Sequence, residues 1–147
     1  MTRMAAFMLV AALVTACGSS IPVKGNTTEV MSIAGHWVGE FKENDSERHG
    51  KVVFDLETGR HTGEGKVTAF NDLAETQSQT LEIKFLKVAG DAVTGTIAPY
   101  IEPRCNCKVK TEFSGALTED AIIGSYVMAS EDGAVERRGE WSATRVN

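Results

Sequence analysis

Residues 35–41 read Gly-His-Trp-Val-Gly-Glu-Phe, with Trp37, Gly39 and Phe41 at one parity and His36 and Glu40 at the other. Alternation of this kind is the signature of a strand that buries one face. The same period runs to the C-terminus. Lys51–Glu57 places Val52, Phe54 and Leu56 together, and Gly63–Phe70 does the same with Val67 and Ala69. Thr80–Val88 sets Leu81, Ile83 and Phe85 against Glu82 and Lys84. Ala92–Tyr100 carries Val93 and Ile97, and Cys107–Leu117 carries Val109 and Phe113. Ile122, Gly124, Tyr126 and Met128 share a face, and Glu136–Arg145 ends the series with Gly139, Trp141 and Ala143.

Turn residues separate these runs: Thr58-Gly59, Gly90-Asp91, Glu119-Asp120 and Asp132-Gly133, the last a strong hairpin signal. Asn71–Ser78 is the longest expected loop. The pattern predicts an all-β domain, an eight-stranded antiparallel up-and-down barrel over residues 34–147, because closure removes exposed edges. A two-sheet sandwich is the alternative. Gly35, Gly65, Gly95 and Gly124 recur about every 30 residues, the period of a hairpin, each followed two residues later by an apolar position. Glycine inside a strand marks close backbone approach, which a small barrel needs.

The N-terminus has a different character. Arg3 precedes an apolar run, Met4–Val14, too short for a membrane span of about 20 residues. Val14-Thr15-Ala16-Cys17 then closes it with small residues and a cysteine. This stretch resembles the bacterial lipobox. The resemblance implies cleavage of residues 1–16, acyl chains on Cys17 that attach the protein to a membrane, and a place in the bacterial cell envelope. Gly18 after the cysteine leans toward the outer membrane, facing the periplasm or the cell surface. Residues 17–33 are polar and mixed, and are expected to form a flexible tether.

The formal charge is −5, and loss of Arg3 would make it one unit more negative. An acidic chain argues against nucleic-acid binding. Arg104, Lys108 and Lys110 read as a solvated strand face.

Gly35-His36-Trp37 resembles the Gly-x-Trp that opens the first strand of lipocalins, and the whole domain resembles the calycin group to which they belong. The resemblance implies a late arginine packed on the tryptophan, with Arg145 the first candidate and Arg138 the second. The lipocalin Thr-Asp-Tyr motif is absent. The domain is shorter than a lipocalin, nearer to avidins and small bacterial protease-inhibitor barrels.

Cys105-Asn106-Cys107 is the most distinctive motif of the folded part. With Cys17 acylated in an oxidising compartment, the two thiols have only each other within the chain. In an extended strand their Cα atoms would lie about 6.5–7 Å apart, so a disulfide requires a local bend. Free thiols, a soft-metal site and a redox pair are the other readings. His36, His49 and His61 lack metal-site spacing, so neither metal nor cofactor is expected. No nucleophile or paired-carboxylate motif suggests catalysis.

The binding question concerns the interior. Trp37, Phe41, Tyr126 and Trp141 are the candidate ligand-binding residues, for a small hydrophobic ligand. If the interior is filled, the barrel is a scaffold or inhibitor that contacts another envelope protein. Phe70, Leu86, Val88, Ile123 and Val127 fall on the opposite parity. They form an outer apolar patch, or else a bulge shifts the phase.

Overall fold

The computed structural model describes residues 20–147. The signal segment and Cys17 lie outside the described residues. The elements are β1 (Ser20–Lys24), α1 (Thr27–Ser32), β2 (Gly35–Glu43), β3 (His49–Leu56), β4 (Thr62–Phe70), β5 (Ser78–Leu81), β6 (Ile83–Ala89), β7 (Ala92–Glu102), β8 (Cys107–Thr118), β9 (Ala121–Ser130) and β10 (Glu136–Val146). Among the described residues no helix is long and apolar enough to cross a membrane.

The eight runs of alternating sequence form an antiparallel meander, in which β5 and β6 are two halves of one run interrupted at Glu82. β10 pairs back onto β2, as an up-and-down barrel requires. The ring nevertheless closes with nine strands, not eight. β4 holds β5 only through Val67–Phe70. Over Thr62–Glu64 its neighbour is β1, which lies antiparallel to β4 and parallel to β6. The sheet forks, and β1 fills the fork.

Residues 20–33 are therefore not the flexible tether expected of them. Ile21 and Val23 point inward and are 0% and 2% exposed. Ile21 sits where a Cβ on Gly65 would meet its side chain at 3.0 Å, so the glycine makes room for the inserted strand. After β1, Asn26 caps α1. Its Oδ1 accepts from the Glu29 amide at 2.9 Å, and Glu29 Oε2 accepts from the Asn26 amide at 2.8 Å. This reciprocal capping box satisfies two donors that a helix start otherwise leaves open. Glu29 Oε1 also accepts from the Gly90 amide at 3.0 Å, pinning the helix to the β6–β7 turn. Val30 and Ile33 are buried beneath it.

The inward faces of the other strands follow the sequence parity except at register shifts, one in β6 and one in β7. The β6–β7 register shifts between Ile83 and Phe85. Beyond this bulge Leu86 and Val88 turn into the core, both 1% exposed. Phe85, expected inside, lies on the outer surface with the Lys24 Nζ 4.4 Å from its ring centre. Of the other opposite-parity residues, Phe70 packs against His49 and is 9% exposed, while Ile123 stands 67% exposed.

If β1 is part of the barrel, Ile21→Ala should destabilise the protein by about 3 kcal/mol, the usual effect of truncating a buried isoleucine. Urea unfolding measures it; a flexible leader would leave the midpoint unchanged.

Candidate functional site

The two ends of the barrel are built by different chemistry. At the end where β2 begins, Trp37 is fully buried and donates from Nε1 to the Ile33 carbonyl at 2.9 Å. Its ring stacks on Phe54, with centres 5.8 Å apart. The Arg145 guanidinium lies 4.7 Å from the Trp37 ring, so the arginine expected on this tryptophan is the one found there. Arg145 also donates to the carbonyls of Ala34 (3.0 Å), Ser32 (2.8 Å) and Glu119 (3.1 Å). Gly35, at φ +132°, passes directly beneath it, a conformation that a side chain would resist. Strand, helix end and turn are thus tied to one aromatic ring, and this end is sealed.

The opposite end carries a buried ionic network that the sequence reading did not find. Glu43, Glu102 and Arg48 are 0%, 1% and 3% exposed. Arg104 reaches Glu43 with both terminal nitrogens, at 2.7 and 2.9 Å, and Glu102 with Nε at 2.8 Å. Arg48 Nη1 reaches Glu102 at 3.2 Å. Glu102 also accepts from the backbone amides of Arg104 (3.1 Å) and Cys105 (3.3 Å). Two carboxylates and two guanidiniums balance in charge, and their hydrogen-bonding capacity is well used. That is the condition under which buried ions are tolerated. Arg104 is therefore not part of a solvated strand face, although Lys108 and Lys110 are exposed.

Burial works to raise the Glu43 carboxyl, but hydrogen bonds from Arg104 and Ser46, with the charges of Arg104 and Arg48, hold it below the ordinary glutamate value. The bonds to Glu43 and Glu102 in turn raise Arg104.

The turn that carries Arg104 is stapled. Cys105 and Cys107 are in disulfide contact, with Cα atoms 5.1 Å apart. The bend that this pairing needs comes from Asn106 at φ +48°, a left-handed conformation that asparagine tolerates better than most residues. The closed pair holds the β7–β8 turn that presents the Arg104 and Cys105 amides to Glu102.

Inside lies a cavity of about 60 Å³. Phe41, Phe113, Tyr126 and Trp141 contribute to its lining, and Arg48 is the network member that reaches it. Phe41 meets Tyr126 edge-on with centres 5.7 Å apart, and Phe113 meets Trp141 at 5.5 Å. Trp141 Nε1 is satisfied by the Ser114 carbonyl at 3.0 Å. The Tyr126 hydroxyl is buried without a partner among the described residues, and burial, then the nearby Glu43 charge, pushes its ionisation upward. Arg48 Nη2 donates to Tyr100 Oη at 3.0 Å, and that hydroxyl donates to Met128 Sδ. Of the four ligand-binding candidates, Phe41, Tyr126 and Trp141 share the cavity, whereas Trp37 lies in the sealed end and outside its lining.

The network had a sequence signal. Glu43 continues the inward parity of Trp37, Gly39 and Phe41, and Arg48 precedes Gly50, Val52 and Phe54 in the same phase. An acid and a base at the facing ends of a hairpin, both on its buried face, mark charges that need internal partners, here Arg104 for Glu43 and Glu102 for Arg48. Glu102 carried no such signal, because the β7–β8 register shifts between Ile97 and Tyr100. The histidines stay apart: His36 contacts Asp55, His49 contacts Glu75, and His61 contacts the Val23 carbonyl. Among the described residues no three His, Cys, Asp or Glu side chains converge on a cation site.

Glu43→Gln should lower stability at neutral pH by about 3 kcal/mol, as breaking a buried pair does. A depressed carboxylate stabilises the fold above its ordinary value, near 4.5 for Glu43, and loses that contribution as pH falls through the depressed value. The gap between wild type and variant should therefore shrink on acidification below about pH 4. Denaturant unfolding of both proteins across that range checks it; a constant gap would mean that the Glu43 charge contributes nothing.

No family model, no curated protein and no solved structure matches this chain. The closed all-β barrel is compatible with a calycin-like fold, and that likeness rests on the architecture and on the Trp37–Arg145 stack.

Proposed function

We propose that this protein is a lipid-anchored component of a bacterial cell envelope, and that its lipocalin-like barrel is a filled, non-catalytic scaffold acting through its outer surface. The observation that carries this reading is the interior volume. A cavity of about 60 Å³ remains among the core side chains. An apolar protein cavity that takes up benzene measures about 150 Å³. The space is thus small for a lipid or cofactor, and apart from Arg48 and a few hydroxyls its lining is apolar. The buried carboxylates are paired with arginines rather than free for acid–base work. The order Arg3, apolar run, Thr15-Ala16-Cys17 supports the anchor and the envelope location.

A second reading keeps one specific observation. The unpartnered Tyr126 hydroxyl and Arg48 both border the cavity, as a small apolar ligand with one hydrogen-bonding group would require.

Protein extracted from its own membranes separates the two. Native mass spectrometry should find no retained small molecule, and the N-terminal peptide should begin at an acylated Cys17. A cognate ligand at a hundred times its Kd stabilises by about 2.7 kcal/mol, which raises Tm by roughly 5–10 °C in a domain of this size. Melting curves with fatty acids, quinones and small aromatics should show no such shift. A shift of that size would move the function into the cavity.

A further inference from the structure

The fork that closes the barrel also fixes where the anchor can be. Cys17 precedes Ser20 by three residues, a path of at most about 11 Å when fully extended. Ser20 is paired with Glu64 within the barrel wall. An acylated Cys17 therefore leaves no room for a stand-off of the kind a flexible tether would give. The wall around β1 must lie against the surface that takes the lipid.

That wall is suited to one kind of surface. Lys24 of β1 is the direct partner of Lys87 on β6. Lys66 lies two residues beyond Glu64 on β4, and Lys84 lies two residues before Leu86, the partner of Val23. Lys66 and Lys84 lie toward the end of β1 where the chain leaves the wall, and Lys24 and Lys87 lie about 13 Å further along it, on the same outer face. All are exposed, and among the described residues none is in an ion pair. Glu64 and Glu82 are acids between them, and Glu29, held by its capping bonds, lies near Lys87. The patch is locally positive on a chain whose formal charge is −5, so an anionic surface attracts this side and repels the rest. Phe85 adds a ring on the same outer surface, beneath Lys24.

We propose that the β4–β1–β6 wall docks against a bilayer surface bearing anionic phospholipid headgroups, with the barrel lying on its side. This rests on the acylation of Cys17 proposed above. Both barrel ends, and the opposite wall with the exposed Ile123, then remain free for other contacts.

The test uses full-length protein extracted from its membranes and placed in vesicles of phosphatidylethanolamine, with or without phosphatidylglycerol. Lysines are acylated with a water-soluble reagent and read by peptide mass spectrometry. Lys24, Lys66, Lys84 and Lys87 should react several-fold more slowly on phosphatidylglycerol vesicles than in detergent, while Lys42, Lys108 and Lys110 keep their rates. High salt should weaken the protection. Uniform rates across the seven lysines would overturn the docking wall. Equal protection without phosphatidylglycerol would overturn the headgroup assignment. Protection in intact membranes but not in vesicles would give the wall to a protein neighbour and overturn the proposal. The N-terminal peptide of the same digest reports acylation separately: if Cys17 is unmodified, the anchor itself fails, and the docking geometry with it.

Discussion

The barrel depends on a short strand filling a fork. β4 cannot pair along its whole length with the run that follows it, because that run breaks at Glu82 and bulges before Phe85. Without another partner, the lower half of β4 and the facing edge of β6 would leave backbone donors and acceptors unpaired beside an apolar core. Ser20–Lys24 supplies both sets of bonds and places Ile21 and Val23 into the gap. Gly65 is small enough to let it in. The bulge that opens the fork also rotates Leu86 and Val88 inward, so the irregularity contributes to the core.

The two ends divide the work of closure. One end is apolar and aromatic: α1, Trp37 and Phe54, with Arg145 lying over them and donating to three carbonyls. The other end is ionic. Glu43 and Glu102 are held by Arg48 and Arg104, and the Cys105–Cys107 pair fixes the turn that carries Arg104. The lowered Glu43 carboxyl makes that end weaken in acid. The same barrel thus has one end set by packing and one by charge.

The eight long runs were legible because period-two alternation persists over most of each one. Gly-x-Trp also pointed to the Arg145 stack through its resemblance. β1 was not legible, because Ile21-Pro22-Val23 offers one alternation and contains a proline, which argues against a strand. Its pairing depends on a gap that only the assembled sheet creates. α1 did leave a trace: Asn26-Thr27-Thr28-Glu29 is a capping-box spacing, hidden in a segment whose polarity suggested a linker. Glu43 and Arg48 stood in the inward phase, but they lie beyond the ends of the apolar alternation that marks β2 and β3. Glu102 and Phe85 lie next to register shifts, and parity alone cannot be carried across a bulge.

Closure at both ends bears on where function can lie. Widening the interior to admit a ligand from the ionic end would require separating Arg48 from Glu102, both nearly inaccessible to water. Breaking such a pair is expensive, because each charge is left buried without its counterion. Entering from the other end would mean unstacking Arg145 and displacing α1, whose capping glutamate is tied to the Gly90 turn. Entering through the wall would mean removing β1. Each route dismantles an element that closes the barrel, and a typical fold has only about 5–15 kcal/mol in reserve. Opening the interior further is therefore costly by each of these routes. The wall that β1 completes differs from both ends in its chemistry, since its outer face carries Lys24, Lys66, Lys84 and Lys87 without ion-pair partners among the described residues.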